Sequence, residues 1–459
     1  MKKLNISLVL VAALSLLSVS SASAQSFRSG YFLDNYVYGY RINPAQIGPK
    51  SFLGLGLGSI DLQNNLNVGM ASFLFPTENG MVTGFNKAVS ADQFLGGIKN
   101  GMRLSLDESI NVLSMGVAKY NRMTTFEVNI RTTAGFALPH DLFAFLKVGG
   151  DQPYDLSGLG ISVGLIADVA CGFAHTVGDY LTIGGRLHFL AGLADVKAYT
   201  ANTTLTMGSS AEINTEIRLQ TSGIASLGID ENGNIDPNSL ALTGPYVGGY
   251  GGGLDLGIEF EPFEDFKLMA SLTEFGVMFR NNTTNLAASS SVTYNGTEIS
   301  YQEDGSVKAE FDQVIEELRK AIVFQEVAGA PQRVDVLPFN AALGLRYKMP
   351  FFKPLSVGAL GTWHFDTIAP WYEARAGITF TPWYLFSISA NAGYGSLGGP
   401  VCGGALDLHL GPLNILAGFD TFLGNIGLIK DVQLPYFGGI PVPLHGFNMN
   451  AHIGLGLTF

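Results

Sequence analysis

The chain has 459 residues, 58 of them glycine and 2 of them cysteine; 47% are apolar and only 14% charged. An average soluble domain carries roughly 25% charged residues, and disorder needs far less apolar content, so neither class fits well. Cys171 and Cys402 alone cannot make a disulfide framework, and a formal charge of −12 argues against a nucleic-acid partner.

Residues 1–24 have the parts of a secretory signal peptide. Lys2 and Lys3 precede an apolar stretch from Ile6 to about Leu17, and Ala22-Ser23-Ala24 stand ahead of Gln25. No cysteine follows the cleavage point, so a lipid anchor is not expected. Without Lys2 and Lys3 the chain keeps 24 basic against 38 acidic residues, a charge of −14. Nothing downstream reaches the ~18 uninterrupted apolar residues of a membrane helix. An exported, apolar chain of this kind is periplasmic, secreted or a transmembrane barrel.

Gln25–Lys50 comes next and contains the turn Asn43-Pro44-Ala45. Phe52–Leu62 and Leu66–Phe75 read either as a first hairpin or as part of an interior segment. Ala91–Lys99 is a short helix candidate with Ser90 as its cap, and His140–Val148 after Pro139 is another. Between and beyond them runs period-two alternation. Phe126, Val128, Ile130 and Phe136 alternate with Glu127, Asn129 and Arg131. Ile161, Val163, Val169 and Phe173 alternate with mostly Gly, Ser and Asp168; Leu181, Ile183, Leu187 and Phe189 face away from Thr182, Arg186 and His188. Leu254, Leu256, Ile258 and Phe260 alternate with Asp255 and Glu259. In IDENGNID, Asp230, Asn232, Asn234 and Asp236 resemble a Ca²⁺ loop, but the glycine falls two places early, so an Asn-Gly turn is the plainer reading. Ser306 caps a predicted helix to about Phe324, with Val307, Phe311, Val314, Ile315, Leu318 and Ile322 at helical spacing. This helix is either a loop element over the barrel mouth or a lid or docking element. The remaining strands follow with little interruption. Trp363 and Phe365 oppose His364 and Asp366; Tyr372, Ile378 and Phe380 oppose Glu373 and Arg375; Leu406, Leu408 and Leu410 oppose Asp407 and His409. Ile453, Leu455, Leu457 and Phe459 close the series.

These runs are longer than the ~5–6 residues of a soluble strand and suit the ~9–11 residues that a tilted strand needs to cross a bilayer. Their outer positions are uniformly apolar, where a solvent-facing sandwich would carry Lys and Glu. The fold class expected is all-β: a transmembrane antiparallel β-barrel of about 14 strands, with 16 as the other count, short helices in its loops and an N-terminal interior segment. Residues 51–459 form the barrel, with excursions near 201–247 and 281–332. The short connections, all with proline, are Met349–Pro354, Thr381–Trp383, Gly411–Pro412 and Glu261–Asp265; the long ones are Ala201–Val247, Asn281–Gln332, Gly395–Gly403 and Leu423–His445. Barrels place short turns in the periplasm and long loops outside, and the two sets fall at opposite ends. Trp363, Trp371 and Trp383 lie near strand ends, as interfacial girdles require. From Tyr372 to Phe380 is roughly 26 Å at ~3.3 Å per residue, a fit to a tilted ~25 Å apolar band.

Inward positions carry many ionisable groups of both signs: Glu127, Arg131, Asp168, Arg186, His188, Asp255, Glu259, Arg346, Lys348, His364, Asp366, Glu373, Arg375, Asp407 and His409. Cross-strand ion pairs filling the lumen are the structural reading; lining a transport path is the functional one. No paired metal-ligand spacing, phosphate loop, nucleophile elbow or zincin motif occurs, so neither cofactor, metal nor catalysis is expected.

Tyr40-Arg41-Ile42-Asn43-Pro44-Ala45 ahead of the first strand resembles the long-chain fatty-acid transporter (FadL-like) family of outer-membrane barrels and the barrels of the type IX secretion system. With FEVNIRTTAGFALPHDLFAFLKVGG, nearly the whole mature chain is similar to an uncharacterised family of Bacteroidetes-type outer-membrane barrels. The terminal Phe459 resembles the aromatic signal such barrels present to the barrel insertion machinery. What the resemblance implies is outer-membrane lipid around the barrel in a Gram-negative cell, Gln25–Lys50 as a lumen plug with its turn at Asn43, Pro44 and Ala45, and a hydrophobic small-molecule ligand leaving through a gap in the wall. The alternative is a non-transporting scaffold or secretion-system adaptor with a surface protein as partner.

Overall fold

A computed structural model describes residues 27–77, 80–149, 151–207, 211–226, 228–230, 241–242, 247–294, 323–327, 332–366, 370–396, 399–422, 426–429, 440–443 and 446–459. The signal segment, Asn232, Asn234 and Asp236, and the helix expected from Ser306, apart from its last residues, lie outside the described residues.

Fourteen wall strands form one antiparallel sheet: β1 (Phe52–Leu66), β2 (Met102–Lys119), β3 (Arg122–Leu138), β4 (Gly160–Val177), β5 (Leu181–Met207), β6 (Gly249–Phe263), β7 (Phe266–Tyr294), β8 (Phe339–Lys348), β9 (Leu355–Phe365), β10 (Trp371–Trp383), β11 (Phe386–Gly395), β12 (Gly399–Leu410), β13 (Leu413–Phe422) and β14 (Phe447–Thr458). Each pairs with its sequence neighbour, and β14 returns to β1 with Phe52 opposite Thr458 and Leu66 opposite Phe447. Closure leaves no unpaired edge, the condition for a sheet to stand in hydrocarbon.

The two faces are sorted by the pleat. On β5, Leu187 and Phe189 are 67% and 57% exposed, while Arg186 and His188 between them are 6% and 9% exposed. The same inversion of a soluble protein runs around the cylinder, with Phe173, Ile183, Leu256, Leu343, Ile378 and Ile453 outside and Asp168, Asp255, Glu373 and His452 inside. This is a transmembrane barrel.

Several boundaries move. β1 runs unbroken to Leu66, after which the Asn67 side chain bonds Gly101 O (2.9 Å) and Arg103 N (2.7 Å) and turns the chain away. Leu66–Phe75 is therefore not a wall strand, which brings the count to fourteen. The expected excursion Gly395–Gly403 is largely strand, with Gly395 opposite Gly399 and Gly403 opposite Asn391 in the ladder. β10 continues through Thr381–Trp383, so its turn is Tyr384–Leu385. β6 runs to Phe263, and the Glu264–Asp265 turn is clasped by Lys353 Nζ, 2.5 Å from Asp265. The excursions after Ala201 and Asn281 begin later than expected, since β5 reaches Met207 and β7 reaches Tyr294. Between those two extensions Ala211–Gly223 pairs with both, in line above β6.

Two helices pack above the long-loop end. α1 (Ala91–Gly96) is capped by Ser90 Oγ, which accepts from Gln93 N at 3.1 Å, and α2 (His140–Val148) follows Pro139. Phe94 and Phe143 join Val68, Phe75, Val89 and Ile98 in a small apolar core there.

Candidate functional site: the barrel interior

Residues 27–50 make contacts that only a segment within the cylinder can make. Ser29 binds Asp420 on β13 and Asn391 on β11; Thr379 on β10 donates to Phe32 O at 2.5 Å; Arg346 on β8 pairs with Asp34 and donates to Leu33 O at 3.0 Å. Tyr40 Oη donates to Glu127 on β3 at 2.8 Å, and Ser271 on β7 donates to Ile42 O at 2.7 Å. Phe27, Phe32, Tyr36, Tyr38 and Tyr40 are buried together with Phe52 and Met123. Inward glycines make the room. A Cβ at Gly418 would stand 2.1 Å from Phe27 Cζ, at Gly403 2.2 Å from Ser29 Oγ, and at Gly377 2.6 Å from Phe32 Cδ1. Asn43 folds the turn, its Oδ1 accepting from Ala45 N at 3.1 Å and its Nδ2 donating to Ile258 O at 3.1 Å. Pro44 O presses on Gly184, where a Cβ would stand 2.2 Å away.

The charged side chains singled out in the sequence gather into a belt. Arg41 Nη2 is 2.5 Å from Glu127, which also pairs with Arg186; Arg186 Nη1 is 3.0 Å from Asp255. His188 has Asp168 3.0 Å from Nδ1 and Asp255 3.0 Å from Nε2. Arg131 lies 3.7 Å from Asp168 and 3.0 Å from Glu274. Glu274 accepts from Asn340 at 3.2 Å, and Asn340 Oδ1 meets His364 Nδ1 at 2.9 Å. His364 stacks on Trp371, 5.4 Å between ring centres. Trp371 was expected at the interface; it is buried, because it shares the inward parity of Glu373 and Arg375. Glu373 and Arg375 pair at 2.7 Å, and Arg375 reaches Asp420 at 3.1 Å. Asp366 is half-buried just past β9.

Other members stand apart. Glu259 pairs with Lys267 at 2.7 Å, and Asp407, His409 and Asn414 form a closed group near the short-turn end. His364 and His409 are thus on separate groups, and Phe459 is exposed beside Ser51, whose carbonyl accepts from its N–H at 3.0 Å. Sequence reasoning missed Arg28, Asp34, Arg41, Asp195, Glu274, Arg280, Arg333, Asp335 and Asp420. Of these, Arg280 and Arg333 share Asp335 at 3.1 and 2.8 Å and also pair with Asp195. Asp420 ends the run Leu416, Gly418, Asp420 on the inward face of β13, so the alternation itself carried the signal.

An apolar group of Ile166, Leu190, Met278 and Leu337 lies buried on the inner wall between the belt and the Arg280–Asp195 pairs. It adjoins an irregular part of the wall. β7 pairs with β8 up to Thr273 opposite Asn340, then with Gln332–Val336 from Val277 onward. Between them Glu274 adopts φ 65°, a left-handed conformation costing a non-glycine residue about 1–3 kcal/mol unless its surroundings hold it. Asp255 Oδ1 holds it, accepting from Glu274 N at 2.6 Å.

A model of the family of unknown function DUF5723 matches residues 44–420. No curated protein matches the chain. Among solved structures it is similar to the Ralstonia pickettii toluene transporter TbuX (10% identity, 96% of each chain, TM-score 0.41). It is also similar to the P. putida toluene transporter TodX (11%, 96% of each chain, 0.40). A Pseudomonas aeruginosa FadL homologue matches at 10% identity over 96% of this chain and 98% of that one, with a TM-score of 0.42.

Proposed function

This chain belongs to DUF5723, a family of unknown function, and within it we propose a plugged outer-membrane barrel that takes up small hydrophobic molecules. Residues 27–50 are the plug, and the inward charged residues line and brace the lumen. The observation that carries this reading is the seating of the segment. Ion pairs from Arg28, Asp34 and Arg41 and the glycine contacts at Gly377, Gly403 and Gly418 hold a removable-sized element inside a wall that is closed without it. The apolar group around Met278 and Leu337, next to the irregular β7–β8 pairing, gives a hydrophobic ligand a place to rest and a weak part of the wall to leave by. The short turns face the periplasm, the long loops face outward, and Phe459 addresses the insertion machinery.

The second reading, a non-transporting scaffold or surface adaptor, is favoured by the ion-paired belt, which fills much of the interior with fixed charge pairs. Deleting Gln25–Lys50 separates the two. The uptake reading expects a rise in single-channel conductance in a planar bilayer and faster entry of a hydrophobic dye into proteoliposomes. An unchanged trace from a correctly assembled barrel favours the scaffold.

A further inference from the structure

Asp107 is the carboxylate that the belt leaves out. It lies on the inner face of β2 in the run Ser105, Asp107, Ser109 and Asn111, all buried, with no lysine or arginine among them. Glu127, Asp168, Asp255, Glu274 and Asp420 each meet an arginine. Asp107 is 9% exposed, and it forms no ion pair and no hydrogen bond with any described residue. Buried as it is, it also feels the negative charges of Asp366 and Glu274, with Arg131 as the opposing cation. Arg131 is already 3.0 Å from Glu274 and 3.7 Å from Asp168. What this part of the lumen lacks is a positive charge with hydrogens to donate.

Cross-strand register supplies the rest of a ligand. Asp107 stands opposite Thr133 on β3, and its inward neighbour Ser109 stands opposite Arg131, which in turn is opposite Ile166 on β4. Ile166 belongs to the buried apolar group with Leu190, Met278 and Leu337. Two strand spacings, roughly 10 Å, thus separate an unpaired carboxylate from an apolar wall, the span of a charged head and a short hydrocarbon chain. Both lie on the long-loop side of the N-terminal segment. Arg41 of that segment meets Ser59 and Glu127, which stand opposite Asn111 and Ser114, further down β2 than Asp107.

We propose that Asp107 is a head-group site in the lumen and that its ligand is a primary alkyl-ammonium, with the charge on Asp107 and the chain on the apolar group around Ile166 and Met278. This deepens the uptake reading by naming a ligand class. It rests on that reading for passage and not for binding.

The test titrates the full mature chain in a non-ionic detergent with hexylammonium, hexanol and hexanoate, which share a chain and differ in the head. Calorimetry is corrected by titration of protein-free micelles. Hexylammonium is expected to bind saturably and at least about tenfold more tightly than either counterpart, because charge-assisted hydrogen bonds are about twice as strong as neutral ones. Asp107→Asn keeps the shape and should erase that preference while leaving the weak binding of hexanol unchanged. Equal affinity for the three heads, tightest binding of hexanoate, or a preference that survives Asp107→Asn overturns the proposal. A carboxyl that merely holds its own proton gives the first of these results. Should Asp107→Asn not assemble, Ser109→Lys places a tethered ammonium beside Asp107 and should abolish hexylammonium binding; unimpaired binding there overturns the proposal equally. A preference that depends on Asp107, together with dye entry indifferent to deletion of Gln25–Lys50, would retire uptake and keep the site. Dye entry that rises on deletion, with no preference among the heads, would do the reverse.

Discussion

A side chain added at Gly418 meets Phe27 at once, an ideal Cβ standing 2.1 Å from the ring. Gly418→Leu should expel the N-terminal segment while leaving the outer face of β13 intact. Limited proteolysis of the assembled barrel checks this: wild type should keep its N-terminus, and the variant should lose it rapidly. Glu127 stands at the other end of the same logic. It is fully buried and serves Arg41 of the segment, Arg186 of β5 and the Tyr40 hydroxyl together. Removing one partner of such a buried group costs roughly 3–5 kcal/mol, because the charges left behind lose their counter-ion. Glu127→Gln should lower the denaturant midpoint accordingly, and adding Arg41→Gln should recover part of the loss, the sign of direct coupling. Neither residue's role was fully legible. The alternation around Phe126 and Val128 placed Glu127 inside, but Arg41 sits in a segment with no periodic pattern, and only packing brings the two together.

Elements were most legible where one period dominates over many residues. β3, β4, β10 and β12 follow the expected alternation, and α2 has the expected bounds, since Pro139 starts it and Gly149 with φ 60° ends it. Glycine was the main source of error. In GSLGGPVCGG it reads as a loop, yet Gly395, Gly399 and Gly403 all stand in paired strands. The bulge at Glu274 was invisible for a different reason: one extra residue shifts the parity of β7 and leaves no mark in composition. The same scale gives a local test. Ser90 caps α1 through a single side-chain bond, so Ser90→Ala should cost about 1 kcal/mol. Amide exchange should quicken over Ala91–Gly96 and remain unchanged in the wall strands.

For the molecule as a whole, the decisive arrangement is apolar outside and charged within. Leu187 lies mid-wall on β5 with Leu254 and Cys171 as its cross-strand neighbours. Leu187→Lys should destabilise the folded barrel in lipid by about 2–4 kcal/mol and cost much less when Lys replaces a residue at the rim. Equal costs at both depths, measured by reversible unfolding in vesicles, would falsify the membrane orientation. The wall also carries a seam of another kind. Ala211–Gly223 and β6 are two lengths of one line in the sheet, and the chain departs at Gly223 and returns at Gly248. The two glycines touch: a Cβ on Gly248 would fall 1.9 Å from Gly223 N, and Ser222 Oγ donates to Gly248 O at 2.9 Å. Departure and return therefore stand side by side, so an insertion placed between them would begin and end at one spot in the wall, where the rungs on either side are already set.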